Sequence, residues 1–467
     1  MAAGLGVTGA LLEGSRLYGA RAVLTMSAQM ASGSIQASYN RELWDKYDLL
    51  LWDGQGGLNN SELLEEDYEN WLEESLSGAW YGLYLYGMSV EQVTLTSYHT
   101  LMEENGKHML LQMLDGEEST GSSLLLEYMN GLLEFLPSVS LPDSDFSLDS
   151  LLEDFTLWQV LERGTVVSDY RIYAANLPSS QLADNCNETV LEKLMANQYI
   201  LNHFSSYTDG QAEGICYQVE YILNGAEKDS INLVSAARSL IHLRTALNLL
   251  DILSEVEMNQ AADIAATVLS AALTIPEAKE VVKVLIELIW AYAEGVQDVQ
   301  DLLAGKCVPI FKEPSQWHLW LHAPEECEED RLFWTDLLRI KEIVMGWLTG
   351  EQDAEESADT STAGSDKEVL TCLQDGEWNY ECYLYLLLFF LEPKLQLGRT
   401  MDLIQMDIAD RYPGFQISNC CAGFSMEMEV YVKPVFSGLY MQSGIWFGGR
   451  FLDNETEVLF ADGLQGY

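Results

Sequence analysis

Apolar and polar positions are most clearly ordered between Glu277 and Leu321. Val281, Val284, Leu285, Leu288, Tyr292, Val299 and Leu302 recur there at the three-and-four spacing of one buried helix face. Glu280, Glu287, Glu294, Asp298 and Asp301 gather on the other side. Acids at that spacing read first as the solvated face of a bundle helix, and only then as paired carboxylates for acid–base work. Gly305 and Lys306 supply a stop, because glycine accepts the left-handed cap and a cation suits the carboxyl end of the dipole. Pro309 and Pro314 forbid continuation into the Trp-rich segment that follows. Upstream, Asp229–Leu253 and Asn259–Leu273 carry the same periodicity, and Pro276 stands where the third helix should begin. Three consecutive amphipathic helices predict a central antiparallel helix bundle.

Elsewhere, residues 3–40 are small and apolar without a proline and read as one long helix. Its glycines at 4, 6, 9, 14, 19 and 33 weaken it in water and matter less for a helix packed against neighbours or lipid. Residues 41–54 predict a short helix running into a strand that ends at Gly54, and Ser61 starts a further acidic helix. Helices are also expected at 105–114, 119–136, 189–204, 378–391 and 398–412. Residues 215–223 fit helix or strand, and 165–174 read as a short strand. Period-two alternation marks a strand over Met88–Leu101 and two over Phe415–Val435, where Met426, Met428, Val430 and Val432 share a face opposite Glu427 and Glu429. The last thirty residues are Gly-rich and match neither period.

The fold class that follows is α+β, predominantly helical: a long N-terminal helix, a central antiparallel bundle, and a small antiparallel sheet from strands near 88–101 and 415–435. The expected domains are a helix at 1–41, an α+β region at 42–185, the bundle at 186–349, a disordered acidic loop at 350–368, and an α+β region at 369–467 that closes on the first. Residues 350–368 lack any large apolar side chain, which is why they read as a loop.

Composition adds one strong constraint. The 467 residues carry 73 acids against 24 bases, a net charge of −49. Such a field repels phosphate backbones and anionic membrane surfaces, so nucleic acid is not an expected partner. Cations, basic proteins and wall polycations are the natural attractants, although acidity also serves solubility alone. Residues 1–41 stand apart at +2, leaving −51 on the remainder. No run of eighteen uncharged apolar residues occurs, so no complete transmembrane helix is encoded. The apolar start, MAAGLGVTGALL, is too short to span and lacks a basic leader; it reads as the distal end of a longer hydrophobic helix. Eight cysteines without a CxxC pair argue against a ribbon-type zinc site, and their even count permits disulfides without demanding them.

Candidate chemistry is sparse. Asp143, Asp145, Ser147, Asp149 and Asp154 fall at calcium-loop offsets. However, Leu148 stands where the sharp turn needs glycine, and the last ligand is Asp rather than the longer Glu. The same residues also suit a turn followed by a helix cap. His318 and His322, with Cys327 beyond, would share a metal only on a helix; the nearby prolines favour an extended chain and aromatic core packing. No nucleophile elbow, phosphate loop or dinucleotide fingerprint occurs. No catalytic or cofactor-binding residue is therefore assigned, calcium is the one cofactor considered, and the expectation is a non-enzymatic protein.

Several segments carry a family resemblance: 11–50 (LLEGSRLYGARAVLTMSAQMASGSIQASYNRELWDKYDLL), 199–209, 217–244, the DVQDLLAGKCVPIFK stretch with Trp317 after it, and 398–430 (GRTMDLIQMDIADRYPGFQISNCCAGFSMEMEV). In these the chain resembles a bacterial family of unknown function, family 5702, found mainly in Gram-positive anaerobes. The resemblance transfers no catalytic residue. It implies an N-terminal transmembrane helix like that of Tad-type pseudopilins, of which this sequence holds the distal part from Leu5 onward, with Glu13 and Arg16 in the post-membrane part of that pattern. It also implies genes near Tad-type pilus or secretion systems. The implied role is an extracytoplasmic, membrane-anchored or cell-surface structural component, contacting protein partners through residues 3–40, with membrane contact only if a further N-terminal segment exists. The alternatives are an acidic surface module for cations, basic proteins or wall polymers, and a hydrolase.

Overall fold

The computed structural model describes residues 2–54, 61–78, 86–115, 177–182, 190–209, 215–272, 274–321, 335–336, 338–341, 343, 378–435 and 450–460. The chain is predominantly helical, with a three-stranded antiparallel sheet. Its residues form two compact units: 1–116 with 172–187 and 400–467, and 117–171 with 188–399.

In the first unit, helix α1 spans Ala2–Gln36, α2 Arg41–Tyr47, α3 Ser61–Gly78 and α4 Lys107–Asp115. The sheet comprises β1 (Met88–Thr100), β2 (Cys421–Val432) and β3 (Arg450–Leu459), with β2 in the centre. β1 pairs with β2 in the register Val90↔Val430 and Leu95↔Met426. The expected pairing of the 88–101 and 415–435 segments is thus present, but β2 is one strand and not two. Gly423 does not break it: a Cβ there would sit 2.6 Å from Leu459 Cδ2, so the glycine instead admits β3 at close range. β3 itself lies in the Gly-rich tail that showed no clear period. No strand runs to Gly54; Trp52 makes a single bridge with Cys421.

The sheet's inner face meets α1 and α3. Leu24, Ala28, Ala31 and Ile35 of α1 pack with Tyr68 and Leu72 of α3 and with Phe424, Met426, Met428 and Val430 of β2. That core follows from the two periods, since one stripe of α1 and alternate residues of β2 are apolar. Tyr68 carries its hydroxyl into the core and satisfies it by donating to Ala28 O at 3.2 Å, with Thr456 Oγ1 at 3.0 Å. A buried ion pair, Glu13 with Arg16, holds the first half of α1; Arg16 also donates to Lys433 O at 2.7 Å and to Tyr86 O.

The second unit contains α5 (Val190–His203), α6 (Gln218–Asn224), α7 (Asp229–Ser254), α8 (Val256–Ala272), α9 (Lys279–Leu303) and α10 (Tyr380–Phe390). Helix α11, Pro393–Arg411, contains the division between the units at residues 399 and 400. Of segment 215–223, which fitted helix or strand, residues 218–223 are helix. The N-cap of α7 is Lys228, and the buried Asp229 carboxylate accepts the Cys216 N–H at 3.3 Å.

Helices α7, α8 and α9 pack on one another as the expected bundle. Gly295 of α9 lets α7 approach, since a Cβ there would lie 3.1 Å from Thr245 N and 3.3 Å from Ile241 O. After α9 the chain runs through 306–321 without α-helix or strand, turning once in the 3-10 helix Pro314–Gln316, and seats Trp317, Leu319 and Leu321 against Trp290. Trp290 donates its indole N–H to Leu319 O at 2.8 Å and meets Trp317 edge-on.

Candidate functional site

The solvated acidic face expected on α9 holds at exposed Glu280 and, in part, at Asp301, and fails in the middle of the helix. Glu294 and Asp298 are fully buried, and Glu287 nearly so; on the opposite face Tyr292, Val299 and Leu302 are buried as expected, whereas Val281 is 64% exposed. The cause is the extended segment after α9. It folds back over the acidic side of the helix and brings Lys312 and His318 with it, while Arg244 arrives from α7. The α9 periodicity cannot register counter-charges supplied by other segments.

Every group in the cluster has a partner. The Lys312 ammonium bridges Glu294 Oε1 and Asp298 Oδ1. Arg244, itself fully buried, donates from Nε to Asp298 Oδ2 at 2.9 Å and from Nη2 to Asn248 Oδ1 at 2.9 Å. Its Nη1 reaches the carbonyls of Pro309 and Ile310 at 3.0 Å and the Tyr383 hydroxyl at 2.9 Å. Asn248 Nδ2 also donates to Asp298 Oδ2 at 2.9 Å. Glu294 accepts the backbone N–H groups of His318 (3.0 Å) and Leu319 (2.9 Å), and Asp251 accepts that of Lys312 at 3.0 Å. His318 lies between Glu294 and Asp301, at 3.0 Å from Nδ1 and 2.9 Å from Nε2.

The electrostatics follow from those contacts. Burial alone would raise the Asp298 carboxyl, but Arg244 and Lys312 hold it below its ordinary value. Burial wins at Asp251, which is pushed up to about 6. The hydrogen bond to Glu294 holds the His318 imidazole above its ordinary value. Arg244 is shifted upward despite its burial, by Tyr383 and Asp298.

The carboxylates of Glu294 and Asp298 with His318 have the composition of a metal-ligand set, and their ligand atoms lie within 4.8 Å of one another. The residues do not fit an ion there. The Lys312 ammonium already occupies the position between the two carboxylates, and a metal would have to expel it into apolar surroundings. With its lone pairs spent on Lys312, Arg244 and backbone N–H groups, the cluster clamps the extended segment onto α7 and α9. Arg244 was detectable as an arginine in an apolar stripe of α7, in register with Asn248 and Asp251 at i+4 and i+7. Lys312 carried no comparable signal.

Of the other sequence candidates, the calcium-like set Asp143, Asp145, Ser147, Asp149 and Asp154 lies outside the described residues, as do His322, Cys327 and the 350–368 loop. Cys420 and Cys421 are buried free thiols, both pushed up by burial. A second group of ligand-type residues, His99, Glu103 and His108, lies at the end of β1, where burial lowers His108.

Together, the helical bundle with its extended clamp and the small sheet define a predominantly helical α+β protein. The chain belongs to a family of unknown function (DUF5702), whose profile matches residues 146–432. No curated protein and no solved structure matches it.

Proposed function

We propose that this protein is a non-enzymatic structural component of a Tad-like pilus or secretion assembly outside the cytoplasm, and that it meets its protein partners through α1. The observation that carries the reading is the outward side of α1. Leu11 (70% exposed), Tyr18 (81%), Met26 and Met30 line it, and Arg21 is its exposed charge. Large apolar side chains exposed together mark a surface that a partner covers, and the other side of α1 is already covered by α3 and the sheet. Between α1 and α3 an open groove of about 430 Å³, lined by Val23, Met26, Met30 and Trp71, extends the same surface. The buried cluster suits the role, because its charges are spent on holding the second unit together. The Tad association rests on the sequence resemblance. Among the described residues no helix is long and apolar enough to cross a membrane.

Deleting the helix would be uninformative, because Leu24, Ala28, Ala31 and Ile35 belong to the core. The test is Leu11→Asp with Tyr18→Asp in the native host. The expected outcome is an unchanged thermal melt with loss of assembly and of partner co-purification. Unchanged assembly would refute the proposal.

A second reading, an acidic surface module for cations, basic proteins or wall polymers, is favoured by the outer face of the sheet. Glu427 stands directly opposite Glu455, and Glu429 opposite Asp453. Like charges directly opposite are destabilising, so a polycation laid across them relieves a built-in cost. Salt-sensitive binding of polylysine, weakened by Glu427→Gln with Glu455→Gln, would favour this reading; salt-insensitive or absent binding would remove it.

A further inference from the structure

We propose that His99, Glu103 and His108 form a binding site for a divalent transition-metal ion of the zinc type, with two imidazoles and one carboxylate as protein ligands and a fourth position open to water. The three side chains come from three successive elements of the first unit. His99 lies near the end of β1, Glu103 on the one-turn 3-10 helix Glu103–Asn105, and His108 in the first turn of α4. One ligand atom from each lies within 4.8 Å of the others. His99 Nδ1 is 3.0 Å from Glu103 Oε2, and the two imidazole centroids are 5.5 Å apart.

Ligand bonds of about 2.0–2.1 Å in tetrahedral geometry place ligand atoms roughly 3.3 Å apart. The present separations therefore need to close by about 1.5 Å at most, which is side-chain motion alone. The set lacks the ammonium that fills the Glu294 cluster. Lys107, next to His108 in the chain, is engaged by Glu104 at 2.6 Å. Position also fits an entry path: the imidazoles are partly buried, and the Glu103 side chain is 45% exposed.

The turn brings the ligands back on themselves. Glu104, Asn105 and Gly106 all take positive φ, at 50°, 62° and 85°, so the chain reverses between the carboxylate and the second imidazole. Ligand chemistry sets the ion class. Two imidazoles with one carboxylate favour zinc and its first-row neighbours, whereas calcium and magnesium call for all-oxygen shells.

The experiment is isothermal titration of the full chain with Zn2+ alone at pH 7.5, repeated for His99→Gln, His108→Gln and the control His318→Gln. The expected result is one site in the wild type, unaltered by millimolar Mg2+. His99→Gln and His108→Gln should each weaken it by more than about 100-fold, since even outer-shell changes cost 10–100-fold. His318→Gln should leave it unchanged. Absence of a site, or a site lost only in His318→Gln, overturns the proposal. If the His99 and His108 variants do not fold, Zn2+-dependent protection of those imidazoles from diethyl pyrocarbonate in the wild type decides the matter, and equal modification with and without Zn2+ counts against the site. Retention of binding by both variants identifies the His99–Glu103 contact as an ion pair only.

Discussion

Replacing Lys312 by Met tests the buried clamp with the largest expected effect. The methionine stem keeps most of the aliphatic packing and removes the ammonium. Asp298 Oδ1 then has no other hydrogen bond among the described residues, while Asp298 Oδ2 keeps Arg244 and Asn248. Glu294 keeps the N–H groups of His318 and Leu319. Breaking a buried pair by removing one partner costs about 3–5 kcal/mol. A second route gives a similar figure. Asp298 can escape by taking a proton, and doing so at pH 7 from an ordinary value of 3.8 costs about 4 kcal/mol. The second route also fixes a pH dependence. In the wild type the Asp298 carboxyl is depressed, so its contribution is present above the unfolded value and is lost as pH falls through the folded one. In the variant the carboxyl loses the Lys312 share of that stabilisation while Arg244 and Asn248 remain, so its value moves upward and the variant gives up more stability than the wild type as pH rises towards 7. The deficit should therefore shrink as pH falls below neutrality, by at most about 1.4 kcal/mol for each pH unit. Urea unfolding at pH 5, 6 and 7, followed by the fluorescence of buried Trp290, reads both quantities. A loss below about 1 kcal/mol, or one that does not change with pH, would refute the clamp and restore α9 as a helix with a solvated acidic side.

The remaining predictions concern other particular contacts. Glu220 is fully buried and pushed up to about 7 from 4.5, so the folded state holds its proton longer than the unfolded chain does. Its ionisation costs stability as pH rises from about 4.5 through 7, by about 3 kcal/mol in all, and Glu220→Gln should abolish that slope in pH-dependent urea unfolding. Gly295→Val should cost about 1–3 kcal/mol by overpacking the crossing of α7 and α9, read as a lower midpoint in the same assay. Glu455→Lys replaces a like-charged cross-strand pair with Glu427 by an opposite one and should raise stability by up to about 1 kcal/mol, an effect that high salt erases.

Elements whose period was uniform were legible in the sequence. The 88–101 strand, the 426–432 alternation and the three bundle helices follow from local spacing, and so does the packed stripe of α1. β3 was not legible, because Asp453, Glu455 and Glu457 alternate with polar Asn454 and Thr456 and not with apolar residues, while the segment before it is rich in glycine; its pairing with β2 defines it. The buried cluster was half legible. Glu294, Asp298 and His318 stood out as residues, but the assignment of Glu294 and Asp298 to solvent failed because helical periodicity treats charge as a mark of exposure. Lys312 lies 14 residues beyond Asp298, across a break in helical structure, and pairing over that gap is a tertiary fact. The His99, Glu103 and His108 group was hidden for a similar reason, since three left-handed residues in a row reverse a chain that spacing alone carries onward.

The central claim, that the outward face of α1 is covered by a partner in the assembled state, is tested most directly by a photo-crosslinking amino acid at position 18 in the native host. The account predicts adducts to a component of the extracytoplasmic assembly at position 18 and none at the exposed, charged position of Glu69 on α3. Adducts at position 18 no more frequent than at position 69 would contradict it.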